Sequence, residues 1–352
     1  MDYENYIISE HKGNFYYNRF GHYKHLEVCN ELNKLYNHNS CIFPSGMSAI
    51  STAFTILLMM NNWGKTNIIF GDELYCDTPR TIKYLSEYYT NLNQYKINVE
   101  DDNNILDIIN NKMDKTLPSI MFIESCSNPN GKIFNFDLLK IIKQNVPNIK
   151  IIVDNTWITS AIFNPFLFDE VDLVVISMTK YYGAGKSGIM GAVISKTKDL
   201  SDKVFNYGKI MGLHVNIPYC NKMVNNIKNL NERILKSSEL TLHIAKYIQN
   251  KNFEVNYPLL ENNNSYQKAI KYFKNIGPSV LTFNIPIKKK KALEWMRQSN
   301  FECSTSFGGS QTKFDQWPIY SNNLTTCRLS IGYEDTYENI TTELDRILNL
   351  IK

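Results

Sequence analysis

Between residues 40 and 196, short apolar runs alternate with longer stretches of helical periodicity, and this alternation leaves few architectures open. TNIIFGD (66–72), SIMFIES (119–125), KIIVDNT (150–156), DLVVIS (172–177) and GAVIS (191–195) read as buried strands. SAISTAFTILLMM, PRTIKYLSEYY and FNFDLLKIIKQNV lie between them and read as helices. Strands spaced by helices predict an α/β fold whose mostly parallel, doubly wound sheet is covered on both faces. Sites in such sheets sit in loops beyond the carboxyl ends of the strands. The polar residues that interrupt the apolar pattern cluster at those ends. After residue 215 a helical stretch, roughly 220–250, precedes strand-like VLTFNIP, FECSTSF and CRLSIGY, which predicts a smaller α+β domain. The expected organisation is an N-terminal arm over 1–38, a larger domain over 39–215 and a C-terminal domain over 216–352.

Bulk properties exclude several function classes. The 352 residues are 43% hydrophobic and 20% charged, as in ordinary soluble proteins. A net charge of +4 provides no basic stripe of the kind that binds nucleic acid. The run Lys288–Lys291 falls between a strand and a helix pattern and reads as a solvated helix start. The opening MDYENYIISEHKG lacks a signal-peptide pattern, and AFTILLMM is too short to span a bilayer, so no membrane partner is expected. Seven cysteines without a CxxC pair argue against a disulfide framework and against zinc. His11, His22 and His25 read as surface residues. A reducing, cytoplasmic setting and no metal are the expectations.

The stretch SMTKYYGAGKSG (177–188) holds two lysines with different implications. Gly185-Lys186-Ser187 resembles the second half of a phosphate-binding P-loop, but the first glycine would stand at 180, which is lysine. The following IMGAVISK reads as a strand where that motif needs a helix. Gly64-Lys65-Thr66 fails in the same way, with Met59 at the glycine position. Lys180 instead follows a buried strand, as a lysine holding pyridoxal 5′-phosphate (PLP) would. Such a lysine needs an acid for the pyridine nitrogen, donors for the phosphate and a flat residue over the ring. Asp154 closes a strand; Ser45-Gly46-Met47 opens a helix; Ser177 and Thr179 flank the lysine; Tyr75 follows another strand.

Eight segments then fall in register with one family. Tyr17-Asn18-Arg19 matches its YSR, Ser45-Gly46-Met47 its SGM, and Leu74-Tyr75-Cys76-Asp77-Thr78 its LYGGT. Glu124-Ser125-Cys126-Ser127-Asn128-Pro129 matches ETPSNP, Val153-Asp154-Asn155-Thr156-Trp157-Ile158-Thr159 matches VDNTxAT, and Ser177-Met178-Thr179-Lys180-Tyr181 matches SATKY. Thr305-Ser306-Phe307-Gly308-Gly309 and Arg328-Leu329-Ser330-Ile331-Gly332-Tyr333-Glu334-Asp335 match TSLGG and RLSxGxED. From about residue 15 to 352 the chain resembles the Cys/Met-metabolism PLP enzymes, such as cystathionine γ-synthase, cystathionine γ-lyase and methionine γ-lyase.

The resemblance implies an aspartate-aminotransferase-like (fold type I) architecture. It implies that Lys180 binds PLP covalently and shuttles protons, with Tyr75 stacking on the ring and assisting. Asp154 would keep the pyridine nitrogen protonated and Asn128 would bond the phenolic oxygen. Ser45, Gly46, Met47, Ser177 and Thr179 would hold the phosphate, and Tyr17 and Arg19 would reach the phosphate of a neighbouring subunit. A homo-oligomer follows, a dimer of catalytic sites and commonly a tetramer. Arg328 would clamp the carboxylate of a small amino-acid substrate, helped by Ser306. The implied chemistry is elimination or replacement at the γ or β carbon of a sulfur amino acid or activated homoserine, the chemistry of transsulfuration lyases and transferases. Departures stand at Cys76 and Asp77, at Gln311 where the family has Glu, and at 184–187; Arg80 matches an arginine that serves a distal carboxylate. A retuned replacement or transamination on a specialised amino acid, and a non-catalytic PLP protein, remain alternative readings.

Overall fold

Every residue of SIMFIE, Ser119–Glu124, is buried, and its alternate residues go to opposite faces. Ile120 and Phe122 join one apolar cluster, while Met121 and Ile123 join another. That is the signature of a strand covered by helices on both sides. The structure, a computed structural model, describes residues 18–351 apart from 90, 186, 187, 322 and 323.

Among these residues the larger sheet has seven strands: β1 (Asn39–Phe43), β2 (Thr66–Gly71), β3 (Leu92–Ile97), β4 (Ser119–Glu124), β5 (Ile149–Asp154), β6 (Leu173–Ser177) and β7 (Gly191–Ser195). Their order is β1-β7-β6-β5-β4-β2-β3. Strands β2 to β6 pair in parallel, and β7 runs antiparallel between β6 and β1. Two strands were not legible in the pattern. NSCIF (β1) is short and polar at its start, and LNQYKI (β3) is an edge strand whose middle is only partly buried.

Helix Gly46–Met60 is apolar almost all round, because it is sandwiched between the sheet and helix Lys198–Ile210. The stretch expected as one helix near 220–250 is two, Ile217–Lys228 and Leu230–Asn250, broken at Asn229.

A second sheet follows in the order β10-β11-β12-β9-β8, with β8 at Val255–Asn256, β9 at Val280–Ile285, β10 at Glu302–Cys303, β11 at Lys313–Ser321 and β12 at Leu324–Ser330. Of FECSTSF only Glu302–Cys303 is strand. β11, absent from the sequence pattern, contains Pro318, which has no N–H for the ladder, and its pairing with β12 is irregular between Trp317 and Ser321. Residues of both sheets belong to one continuous apolar cluster.

The register brings the site together. Phe43 and Ser177 both pair with Gly191, so the chain leaving β1 lies beside the chain leaving β6. Glu124 pairs with Asp154 at the same edge.

Candidate active site

After β6 the chain makes a loop back to β7, and this loop presents Lys180. Its neck is pinned at Thr179, whose hydroxyl donates to the Met190 carbonyl (3.2 Å) and accepts from the Met190 N–H (3.1 Å). Lys180 Nζ lies 3.3 Å from Ser306 Oγ and 5.1 Å from the centre of the Phe307 ring. Burial, with Arg328 and Lys313 nearby, pulls the amine down to about 8. A lysine in this condition can act as a base near neutrality.

Two acids lie side by side at the ends of β4 and β5. Asp154 Oδ1 accepts the Thr156 N–H at 2.9 Å. Glu124 accepts two backbone N–H groups, Tyr75 at 2.6 Å and Asn128 at 3.1 Å. Burial pushes both acids upward in pKa, and for Glu124 the neighbouring Asp154 adds to the shift. Asp154 is therefore a carboxylate that a cation would stabilise.

Arg328, on β12, is 2% exposed. Its guanidinium donates to Asn128 Oδ1 at 3.1 Å, to the Thr305 carbonyl, and to Asp315 Oδ2 at 3.4 Å.

Helix Gly46–Met60 begins against the ends of β6 and β7. Ser45 is its N-cap, with Oγ accepting the Ser48 N–H at 3.0 Å. A Cβ on Gly46 would lie 2.7 Å from Ser177 Cβ, and one on Gly191 would lie 2.3 Å from the Ser45 carbonyl oxygen. These glycines allow the helix end to sit directly on the strands. No acceptor among the described residues bonds the Gly46 or Met47 N–H, and a helix N-terminus with open donors suits an anion.

These parts surround a cavity of about 460 Å³. Ser45, Gly46, Met47, Tyr75, Asn128, Asp154, Ser177, Thr179, Lys180 and Arg328 all line it, and Ser306 reaches it through Lys180. Other expected residues are elsewhere. Arg80 pairs with Asp77 at 2.8 Å on an exposed helix face, and Gln311 is exposed outside the cavity. Arg19 donates to the Lys209 carbonyl at 3.1 Å and borders a separate cavity of about 470 Å³. Tyr17 and the Lys186-Ser187 pair of the P-loop reading lie outside the described residues.

Sequence reasoning gave no role to Glu124, Trp157 or Phe307, which also line the cavity. Glu124 stands at a strand end like Asp154 and shares its kind of signal. Trp157 and Phe307 meet edge to face at 5.8 Å, a contact between residues 150 positions apart that no local pattern announces.

Gly308 explains why two of the motifs belong together. Its φ is +77°, and a Cβ there would lie 2.7 Å from the Tyr181 nitrogen and 2.9 Å from the Lys180 carbonyl carbon. The Gly308 loop is in turn fastened to residues 332–335: Asp335 accepts the Thr312 N–H at 2.5 Å, and the Glu334 N–H donates to the Ser310 carbonyl at 2.9 Å. Gly308→Ala should destabilise the protein by about 2 kcal/mol through left-handed strain and crowding at Lys180. Urea unfolding would show it; an unchanged midpoint would contradict the close packing.

A family model described as Cys/Met metabolism PLP-dependent enzyme matches residues 2–348. The chain belongs to that family. Among curated relatives of this Cys/Met metabolism enzyme is a cystathionine beta-lyase of Schizosaccharomyces pombe, 26% identical over 306 residues, 85% of this chain and 74% of that protein. Another is a cystathionine beta-lyase of Saccharomyces cerevisiae, 23% identical over 328 residues, 85% of this chain and 69% of that one. A solved cystathionine gamma synthase from Xanthomonas oryzae pv. oryzae, in complex with cystathionine, superposes with a TM-score of 0.83 at 20% identity, covering 95% of this chain and 87% of that chain. That likeness establishes the shared fold.

The family's cofactor is PLP, and the residues present fit it. The cavity offers open N–H donors at a helix start for a phosphate, a buried acid that needs a cation, and a lysine depressed toward neutrality.

The Lys180 amine also makes stability depend on pH. Folded, it titrates near 8; unfolded, near its ordinary 10.5. Between these values the unfolded chain holds more protons, so stability rises with pH; below 8 the burial penalty is present in full. In the PLP-free protein, the stability gap to Lys180→Met should therefore shrink from pH 8 to 10.5. A gap constant across that window would contradict the assignment.

Proposed function

We propose that this chain is a PLP-dependent carbon–sulfur lyase or replacement enzyme for a sulfur amino acid or activated homoserine, with Lys180 as the proton carrier. One observation carries the reading: Lys180, Asp154 and Arg328 share a single cavity with an open helix N-terminus. PLP, when bound, draws electrons away from the substrate's α-carbon. Asp154 provides a negative charge for the ring nitrogen, while Gly46, Met47 and Ser177 provide donors for the phosphate. Arg328 binds the substrate carboxylate, for which its planar guanidinium is suited. Lys180 takes the proton from the α-carbon and, as an acid, gives a proton to another atom of the substrate later in the reaction. Tyr75, partly exposed at the cavity and raised in pKa by burial and by Asp77, keeps its phenolic proton available to the departing sulfur.

The organisation expected from sequence is part of the proposal: an arm over 1–38, a PLP-binding domain over 39–215 and a C-terminal domain over 216–352. Tyr17 and Arg19 would serve a neighbouring copy's cavity, in a homodimer or a tetramer built from such dimers, in the cytoplasm. Supporting this, Arg19 does not line its own chain's cavity. Ile189, 61% exposed at the cavity, and Tyr219, packed near Gly188, form apolar surface that a second copy would cover. No helix among the described residues is long and apolar enough to cross a membrane.

Cleavage at the γ carbon is the first reading and cleavage at the β carbon the second; the names of the two yeast relatives favour the second. PLP-loaded protein given L-cystathionine decides between them. Release of 2-oxobutyrate, cysteine and ammonia establishes γ cleavage, and release of pyruvate, homocysteine and ammonia establishes β cleavage. Absence of both overturns cystathionine lysis.

A further inference from the structure

We propose that Glu124 is a positioning residue whose single carboxylate holds the Tyr75 loop and the Asn128–Arg328 pair in one fixed relation for cofactor and substrate. The inference rests on reading the cavity as a PLP site, and it adds a residue to which no role has been assigned.

Glu124 is buried at the last position of β4. Its two oxygens serve two different loops: Oε1 accepts from Tyr75 N at 2.6 Å in the loop after β2, and Oε2 accepts from Asn128 N at 3.1 Å in the loop after β4. Asn128 Oδ1 then accepts from Arg328 Nη1 at 3.1 Å. A continuous path therefore runs from Tyr75 through Glu124 and Asn128 to Arg328. Glu73 ties the same two loops from the other side, accepting from Asn130 N at 2.7 Å and from Asn130 Nδ2 at 2.8 Å.

The residue type follows from donor chemistry. An ionised carboxylate accepts at both oxygens, whereas a glutamine would turn an NH₂ group toward one of the two N–H donors. Register with Asp154 makes the position unfavourable for an acid, since two neighbouring carboxylates repel. The bonds from the Tyr75 and Asn128 N–H groups oppose that repulsion in part, and the acid is kept at an unfavourable place.

Two readouts test the proposal, the first independent of PLP. In the PLP-free protein, Glu124→Gln should speed amide hydrogen exchange by about tenfold in segment 72–78 or 125–131, as expected for one lost charge-assisted bond, and leave segment 337–348 unchanged. In the PLP-loaded protein, the same change should raise KM for L-cystathionine by about tenfold, more than it lowers kcat. Its effect on KM should be less than additive with that of Asn128→Ala. Glu124→Asp, which keeps the charge but shortens the reach, should show the same pattern and decides the question if Glu124→Gln does not fold. Unchanged exchange in both segments overturns the proposal. So does faster exchange throughout the chain, or strict additivity with Asn128→Ala. A wild-type chain that took up no PLP would sink the reading of the cavity, and the exchange experiment would still decide whether Glu124 ties the loops.

Discussion

Lys180→Ala lowers kcat by about 10²–10⁴-fold, the range that a positioned general base supplies, and leaves the fold in place. The loop that carries the residue is held by the Thr179–Met190 bonds and by contact with Gly308, none of which uses the amine. The side chain's own hydrogen bond, to Ser306, is long at 3.3 Å. Removing a buried amine also relieves the desolvation that depresses it. PLP should still bind through the helix N-terminus and Asp154, as dialysis followed by absorbance would show. Added methylamine should restore part of the turnover by supplying a free amine to the vacated space. Turnover by Lys180→Ala within about threefold of wild type would remove Lys180 from the chemistry.

Arg328→Ala has the second large effect, and it divides into two parts. Loss of a bidentate, charge-assisted contact to the substrate carboxylate should raise KM by about 10²-fold, with a smaller change in kcat. Stability should fall as well, because Asp315 loses the guanidinium 3.4 Å away. Asp315 is only partly buried and the pair is long at 3.4 Å, so a cost of about 1–2 kcal/mol, below that of a fully buried pair, is expected. Arg328→Ala combined with Asp315→Asn should regain part of the stability and none of the substrate affinity. Steady-state kinetics and urea unfolding of the three proteins separate the parts. A KM within threefold of wild type in Arg328→Ala would mean that the carboxylate is held elsewhere.

Several parts of the site could be read directly from the chain because they stand where an apolar strand stops. Asp154, Ser177 and Lys180 are of that kind, and Ser45-Gly46 stands at the start of a helix pattern. Glu124 occupies the same sort of position, but its use depends on two loops that meet only when β2 and β4 pair. Arg80 is a different case: a motif match points to it, and the helix gives it a partner three residues earlier, Asp77, with neither residue lining the cavity. Gln311, two residues beyond a matching segment, is exposed and does not line the cavity. The strands that local pattern does not announce, β1, β3, β8 and β11, are short, half-polar or contain a proline, so neighbouring strands decide their conformation.

The two lysines of SMTKYYGAGKSG reduce the question of where the cofactor is held to a single residue. PLP-loaded protein, reduced with borohydride to fix any covalently held cofactor, is digested and its peptides are weighed. The pyridoxyl phosphate mass is expected on the peptide bearing Lys180, at Lys180 itself. Finding that mass on Lys186 or any other lysine, or on none, would contradict it.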